Sequence, residues 1–206
     1  MPKVEIVPKT KKTTISQGMI DKYNLHPDVV DFLEKNDLGD NLLDHFFNPK
    51  LSNPRNILNI TKLADAIKRV AQDPSKPLVY VYGDYDVDGC TSSSILFLTL
   101  KRLGIRVKVY IPDRMTEGYG VNRNAVQTII DRGAKMLITV DCGITSKDDL
   151  KYASDNGLDV FVVDHHEPPA DKALFPECVV IDPKQEGETF YFREMCGAGL
   201  AYQLSR

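Results

Sequence analysis

Residues 77–89 read PLVYVYGDYDVDG, an apolar run that ends in three aspartates within five positions. Residues 78–82 are β-branched, aromatic or leucine, which favours a buried strand. The carboxylates of Asp84, Asp86 and Asp88 repel one another unless a cation offsets their charge. The stretch therefore predicts a buried strand that ends at a cation-binding turn.

From residue 77 onward, strand-like and helix-like segments alternate along the chain. The predicted strands are 78–82, 106–111, 135–140, 158–163 and 178–181, and the predicted helices are 91–103, 122–131 and 146–155. The last helix is expected to begin with a capping box formed by Ser146 and Asp149. Strict alternation predicts an α/β domain with a mainly parallel sheet flanked by helices, which we place at residues 76–206.

The first 75 residues have a different sequence pattern. They hold short amphipathic stretches, at 28–34 and 60–71, broken by prolines, and no strand-like run. We therefore expect residues 1–75 to form a small helical N-terminal arm.

Composition limits the protein class. The chain has 206 residues, 42% of them hydrophobic and 27% charged, which is too apolar for a disordered protein. Its net charge of −3 gives no general basic footprint, so any nucleic-acid contact must be local. No apolar run is long enough for a membrane span, and the four scattered cysteines suit reduced thiols. These features predict a soluble, cytoplasmic protein without a membrane partner.

Acidic and histidine side chains follow three of the predicted strands. Asp84, Asp86 and Asp88 follow the first, Asp141 follows the third, and the triplet 164–166, Asp-His-His, follows the fourth. Because the carboxyl ends of parallel strands share one edge of a sheet, these side chains are expected to meet in one crevice.

Several carboxylates with an imidazole favour Mg²⁺ or Mn²⁺. Shared carboxylates can hold two such ions, a device for phosphoryl transfer. A calcium loop of the EF-hand type is excluded, because its twelfth position, counted from Asp84, is Ile95 and a strand precedes it. His165 and His166 point in different directions from a strand end, so one is expected to bind metal and the other to contact phosphate or donate a proton.

Three motifs, GDYDVDG at 83–89, VDCG at 140–143 and VVDHH at 162–166, resemble in order and spacing those of the DHH phosphoesterases. Within that family, the segments IPDRMTEGYGVN at 111–122 and CGAGLAYQL at 196–204 resemble the RecJ exonucleases. The resemblance implies a 5′→3′ exonuclease that is specific for single-stranded DNA, acts in DNA repair or recombination, and uses two Mn²⁺ or Mg²⁺ ions. A single-strand-binding protein is the partner that it implies.

The resemblance also implies roles for individual residues. The implied metal ligands are Asp84, Asp86, Asp88, Asp141 and His165, with Asp88 and Asp141 shared between the ions. His166 is implied to contact the substrate phosphate or act as an acid, and Asp164 to orient the histidines. Tyr82 stands where the resemblance implies a histidine in many relatives, so either Asp84 compensates or one metal ion is weakly held.

Further substrate contacts are expected in two other segments. Arg114 could grip a phosphate and Tyr119 could stack on a base, or their loop could simply pack on its own tyrosine. Gly197 and Gly199 could bring backbone N–H groups to phosphate, or could serve packing alone.

Two alternatives to the exonuclease remain. The first is a DHH phosphodiesterase for short oligonucleotides or cyclic dinucleotides, or a pyrophosphatase, which the GDYDVDG form and the N-terminal arm disfavour. The second is a non-catalytic DNA-binding relative, which the retained acids and histidines disfavour. The family also has a further aspartate ligand, a linker helix and a second domain beyond the segment that resembles CGAGLAYQL. We therefore expect this chain to be the N-terminal part of a longer protein that folds but has an incomplete metal site and little activity alone.

Overall fold

The computed structural model of the chain describes residues 10–48 and 52–206. Contacts divide the chain into two compact units, residues 1–52 and 53–206. The division falls earlier than the expected boundary at residue 75, because the helix over Ile60–Gln72 packs into the core of the second unit through Leu63 and Ile67.

The described part of the first unit is helical, as expected for the arm. It contains α1 (Gln17–Tyr23), α2 (Pro27–Lys35) and α3 (Asp40–Phe47). Its small core is formed by Ile15, Leu33 and Leu43.

The second unit alternates helices and strands. In chain order, its elements are α4 (Ile60–Gln72), β1 (Leu78–Gly83), α5 (Val87–Arg102), β2 (Val107–Tyr110), α6 (Arg123–Asp131), β3 (Ala134–Val140), α7 (Lys147–Asp155), β4 (Asp159–Val163), β5 (Val179–Ile181) and α8 (Gly197–Ser205). The predicted α/β class is confirmed. No helix in residues 10–48 or 52–206 is both long and apolar enough to cross a membrane.

All strand pairs of the sheet are parallel, in the order β2-β1-β3-β4-β5. Buried residues of α4, α5 and α8 pack on one face, and those of α6 and α7 pack on the other. The strand order reverses between β1 and β3, and such a switch point opens a crevice at the carboxyl ends of the strands. The crevice therefore lies at the carboxyl ends of β1 and β3, which Asp84 and Asp141 directly follow.

The start of α5 and the cap of α7 differ from the predictions. Helix α5 begins at Val87 rather than at residue 91, because the side chain of Asp86 caps it by accepting from the Gly89 amide at 2.9 Å. The capping box predicted for α7 is wrong, since Ser146 makes no side-chain cap. Its hydroxyl instead accepts from the Val121 amide at 3.3 Å.

Candidate metal centre

The sheet brings the predicted acids and histidines to one edge. Asp84 follows β1 and Asp141 follows β3, while His165 and His166 lie just beyond β4. The amide of Asp141 donates to Val163 O at 3.0 Å, so hydrogen bonding to β4 continues one residue past the end of β3. This bond fixes the backbone from which the Asp141 side chain extends.

Among the residues that the structure describes, two groups of side chains have the geometry for binding a cation. Asp84, Asp86 and Asp141 form one group, and Asp141, His165 and His166 form the other. Within each group, one ligand atom from every residue lies within 4.8 Å of the others. Because Asp141 belongs to both groups, the arrangement suits two neighbouring cations that share one carboxylate.

The surroundings of Asp141 disfavour its charged form. It is 1% exposed, and its φ of 60° lies in the left-handed region, which aspartate tolerates better than most residues. Burial raises the pKa of Asp141 to about 6, although His165, whose Nε2 lies 3.0 Å from Oδ1, opposes the rise. A cation beside this carboxylate would favour its charged form.

Asp84 also fits a cation. It is 4% exposed, and its Oδ1 has no hydrogen-bond partner among the described residues. Burial raises the pKa of Asp84, and the charge of Asp86 adds to the rise, whereas His166 and Arg114 oppose it. Buried polar atoms are rarely left without a partner, so an orphaned carboxylate oxygen in an acidic cluster marks a place for a positive ligand.

Asp88 is bound by the first turn of α8. Its Oδ2 accepts from the Gly197 amide at 2.7 Å and its Oδ1 from the Ala198 amide at 2.8 Å. Oδ2 also lies 3.4 Å from Nε2 of His165. Asp88 belongs to neither group of potential ligands found among the described residues, so its role as a bridging ligand stays a prediction.

Asp164 is a buried anchor for the turn that carries the two histidines. Its Oδ1 accepts from the His165 amide and lies 2.8 Å from Nδ1 of His166, and its Oδ2 accepts from the Ile144 amide at 2.9 Å. Burial alone would raise the pKa of Asp164, but the bonds from His166 and Ile144 lower it on balance. The same bond to Asp164 raises the pKa of His166 despite the burial of the ring.

The loop between β2 and α6 places Tyr119 and Arg114 beside the acids. The Tyr119 hydroxyl lies 3.3 Å from Nδ1 of His166, and the side chain is 52% exposed. Arg114 lies over the ring of Tyr85, with its guanidinium carbon 5.3 Å from the ring centroid. Tyr119 therefore lies beside His166, and Arg114 lies beside Tyr85, the residue that follows the candidate ligand Asp84.

The two glycines that were predicted to contact phosphate have different surroundings. Gly197 touches the site, because a Cβ there would lie 2.9 Å from both Cβ and Oδ1 of Asp141. Gly199 faces Met195, 2.6 Å from where its Cβ would stand, and its amide donates to the sulfur of Cys196. Both amides already have acceptors within the protein, and phosphate binding by them stays a prediction.

Sequence reasoning missed Asp182, which directly follows β5. It is fully buried, and its Oδ1 accepts from the Lys184 amide at 2.7 Å, while its Oδ2 has no hydrogen-bond partner among the described residues. Burial raises the pKa of Asp182 to about 7, and the nearby charge of Asp164 adds to the rise. The signal was present, since the rule that acids follow strands in this sheet also applies to the last strand.

Comparison with known proteins identifies relatives of this chain. The family model described as "DHH family, N-terminal domain" matches residues 78–206. The single-stranded-DNA-specific exonuclease RecJ of Bacillus subtilis is 41% identical over 153 residues, which are 74% of this chain and 19% of that protein. RecJ of Haemophilus influenzae is 31% identical over the same length, 26% of that protein. The chain thus spans about a fifth to a quarter of these relatives.

Solved structures give the same picture. An exonuclease RecJ bound to manganese is 32% identical and superposes with a TM-score of 0.64, over 72% of this chain and 37% of the other. RecJ of Thermus thermophilus in complex with Mn²⁺ has a TM-score of 0.72 over 94% of this chain and 28% of the other, at 22% identity, and supports the fold alone.

Proposed function

The chain belongs to the DHH family, and from that premise we propose that it provides the metal-binding half of an exonuclease site for single-stranded DNA. The reaction is hydrolysis of a phosphodiester bond at the 5′ end of the strand. The single-stranded-DNA-specific exonucleases among its relatives support the substrate class. The convergence of Asp84, Asp86, Asp141 and His165 on one crevice carries the proposal.

The donor set favours Mn²⁺ or Mg²⁺. Carboxylate oxygens suit both ions, and an imidazole such as that of His165 suits Mn²⁺ better. Asp84, Asp86, Asp141 and His165 are the residues proposed to hold them, together with Asp88. Bound in pairs, such ions supply Lewis-acid stabilisation of the charge on the scissile phosphate.

The protein's own groups orient the substrate and manage a proton. Asp164 lies at Nδ1 of His166, and their hydrogen bond raises the pKa of that ring. This leaves Nε2 of His166 as the nitrogen proposed to give a proton to a phosphate or leaving oxygen. Arg114 is proposed to bind the phosphate and Tyr119 to contact the terminal nucleotide.

The direction of digestion is tested with end-labelled DNA. The protein at its full natural length, with the 206-residue chain beside it, is incubated with Mn²⁺ and a single-stranded oligonucleotide labelled at its 5′ end. Immediate release of labelled mononucleotide is the expected result. Early release from a 3′ label instead would reverse the direction, and cleavage confined to di- to tetranucleotides would indicate a phosphodiesterase for short oligonucleotides. Binding without cleavage would indicate a non-catalytic DNA-binding protein.

Asp141→Asn tests the metal site with little change of shape. Asparagine also tolerates the left-handed backbone, so the substitution removes the charge and keeps the conformation. We expect Mn²⁺ affinity to fall by more than the roughly 10–100-fold typical of residues that only support a ligand. Exposed Asp37, whose φ is 61°, provides the matched control as Asp37→Asn. Equal Mn²⁺ binding by the two variants would rule out the proposed site.

We also propose a single-strand-binding protein as the partner that delivers the DNA, and the cytoplasm as the location. Retention of the full-length protein on an immobilised single-strand-binding protein, reversed by salt, tests the first. Cell fractionation tests the second.

A further inference from the structure

The first turn of α8 closes over Asp88. The first amides of a helix have no acceptor within it, and here the amides of Gly197 and Ala198 each bind one oxygen of this carboxylate. The donors lie 109 and 110 residues away from Asp88 in the sequence. A distant helix therefore fixes the orientation of an acid that belongs to the motif GDYDVDG.

The same turn also touches Asp141. A Cβ on Gly197 would lie 2.9 Å from two atoms of Asp141 and 3.0 Å from the hydroxyl of Ser92. Carbon atoms of side chains do not approach that closely, so only glycine lets the turn pack against the acid. Ser92 in turn donates to the backbone oxygen of Asp88 at 2.6 Å.

Both acids then meet at one imidazole. Nε2 of His165 lies 3.4 Å from Asp88 and 3.0 Å from Asp141. Each carboxylate oxygen has two lone pairs, so an oxygen that accepts one amide keeps a lone pair for a cation. The hydrogen bonds from α8 thus leave the carboxylate of Asp88 able to bind a cation, while they restrict the rotation of its side chain.

We propose that the first turn of α8 is a positioning element for divalent cations, which orients Asp88 through the amides of Gly197 and Ala198 and restricts Asp141 by the close packing of Gly197 against it. This inference rests on the proposed metal site and deepens it. The Gly197 amide then acts through Asp88 and does not bind the phosphate of the substrate. Supporting hydrogen bonds of this kind typically change metal affinity by about 10–100-fold.

Ala198→Pro tests the inference, because it removes one of the two donors. Proline is tolerated in the first turn of a helix, where its missing N–H lacks an intrahelical partner. Asn124→Pro makes the same change at the second position of α6, where the residue is exposed. Mn²⁺ affinity is measured by electron paramagnetic resonance of free Mn²⁺, and the melting temperature is measured in EDTA.

We expect Ala198→Pro to bind Mn²⁺ about 10-fold more weakly or worse, with a metal-free melting temperature close to that of Asn124→Pro. Equal Mn²⁺ affinities for the folded Ala198→Pro chain and the parent would overturn the inference.

An ester linkage decides the question if the proline variant does not fold. Cys196 permits ligation of a synthetic peptide of residues 196–206, in which the amide N–H of residue 198 is replaced by an ester oxygen. The same ligation with an ordinary peptide regenerates the parent chain as control. The ester chain should again bind Mn²⁺ about 10-fold more weakly, and unchanged binding would refute the inference.

The outcomes also separate this inference from the proposed function. A parent chain that binds no Mn²⁺ would refute the metal site itself. Mn²⁺ binding that depends on α8, in a full-length protein without nuclease activity, would retain the positioning role and reject the exonuclease.

Discussion

Asp141 and Asp164 show how surroundings separate two buried carboxylates. Asp164 receives hydrogen bonds from Ile144, His165 and His166, and on balance its pKa is lowered in spite of burial. Asp141 is equally buried, but burial prevails over its contact with His165 and raises its pKa. Hydrogen bonds within the protein thus stabilise the charged form of Asp164, which holds the turn. The charged form of Asp141 is not stabilised to the same extent and would be favoured by a bound cation. This division of pKa values is typical of functional sites.

Asp182→Asn should stabilise the metal-free protein at alkaline pH. The folded pKa of about 7 lies above the ordinary 3.8, so the carboxyl contributes stability that is fully present below pH 3.8 and lost as the pH rises through about 7. Asparagine keeps the acceptor for the Lys184 amide and removes the buried charge. At pH 8 in EDTA we expect a gain on the order of 2–4 kcal/mol in the free energy of unfolding, since one pKa unit is worth about 1.4 kcal/mol.

Urea unfolding between pH 4 and pH 8 measures this gain, which should shrink toward acidic pH. Asp171→Asn is the matched control, because exposed Asp171 accepts from the amide two residues later in the same way, at 2.9 Å. A gain that does not depend on pH, or one that the control shares, would contradict the assignment to the buried charge of Asp182.

The loop between β2 and α6 is anchored by hydroxyl groups beneath it. The hydroxyl of fully buried Tyr82 donates to Gly120 O at 2.9 Å and accepts from Asn122, and Glu117 is held by Tyr110 at 2.6 Å. Tyr82 lies on β1, directly before Gly83. Its hydroxyl anchors the loop that carries Tyr119.

Tyr82→Phe should loosen this loop without disturbing metal binding. The ring remains stacked on Tyr110, while the buried oxygen of Gly120 loses its donor, at a cost of about 1–3 kcal/mol. We expect a several-fold higher KM for single-stranded DNA in the full-length protein and an unchanged Mn²⁺ affinity, because Arg114 and Tyr119 would be held less firmly.

Tyr80→Phe is the control on the same strand. The hydroxyl of Tyr80 accepts from Arg132 at 3.1 Å, just past the end of α6, and not from the loop. The Tyr80→Phe variant should have a lower free energy of unfolding than the parent and the same KM for single-stranded DNA. A lower Mn²⁺ affinity in Tyr82→Phe, or equal KM values for both variants, would contradict the anchoring role.

Local sequence patterns predicted the elements of the second unit better than their ends. Strand β1 and residues 160–163 of β4 are continuous apolar runs, so composition alone identifies them. The early start of α5 depends on Asp86 as a cap and on Gly89, where a Cβ would lie 2.4 Å from Asp84 O. Ser146 makes a long-range bond in place of its local cap. Contacts between distant segments, like those of α8 with Asp88, are absent from any local pattern.

Parallel order explains how distant positions make one site. The candidate ligands span residues 84–166, yet each follows a strand whose neighbours in the sheet are fixed by register. Adding α8 extends the contributing chain to Ala198. Cation binding should therefore depend on the whole second unit being folded, and should stabilise it as a unit.

Mn²⁺ should stabilise the second unit and leave the first unchanged. All the candidate ligands lie in residues 53–206, so a cation bound only by the folded site adds about 2.7 kcal/mol at a concentration 100 times its Kd. For a protein of this size, that corresponds to a rise of roughly 5–10 °C in Tm. Hydrogen exchange should slow in β1, β3, β4 and α8 and stay the same in residues 10–48. Asp141→Asn should abolish the effect, and protection that extends to residues 10–48, or that persists in this variant, would place the bound cation elsewhere.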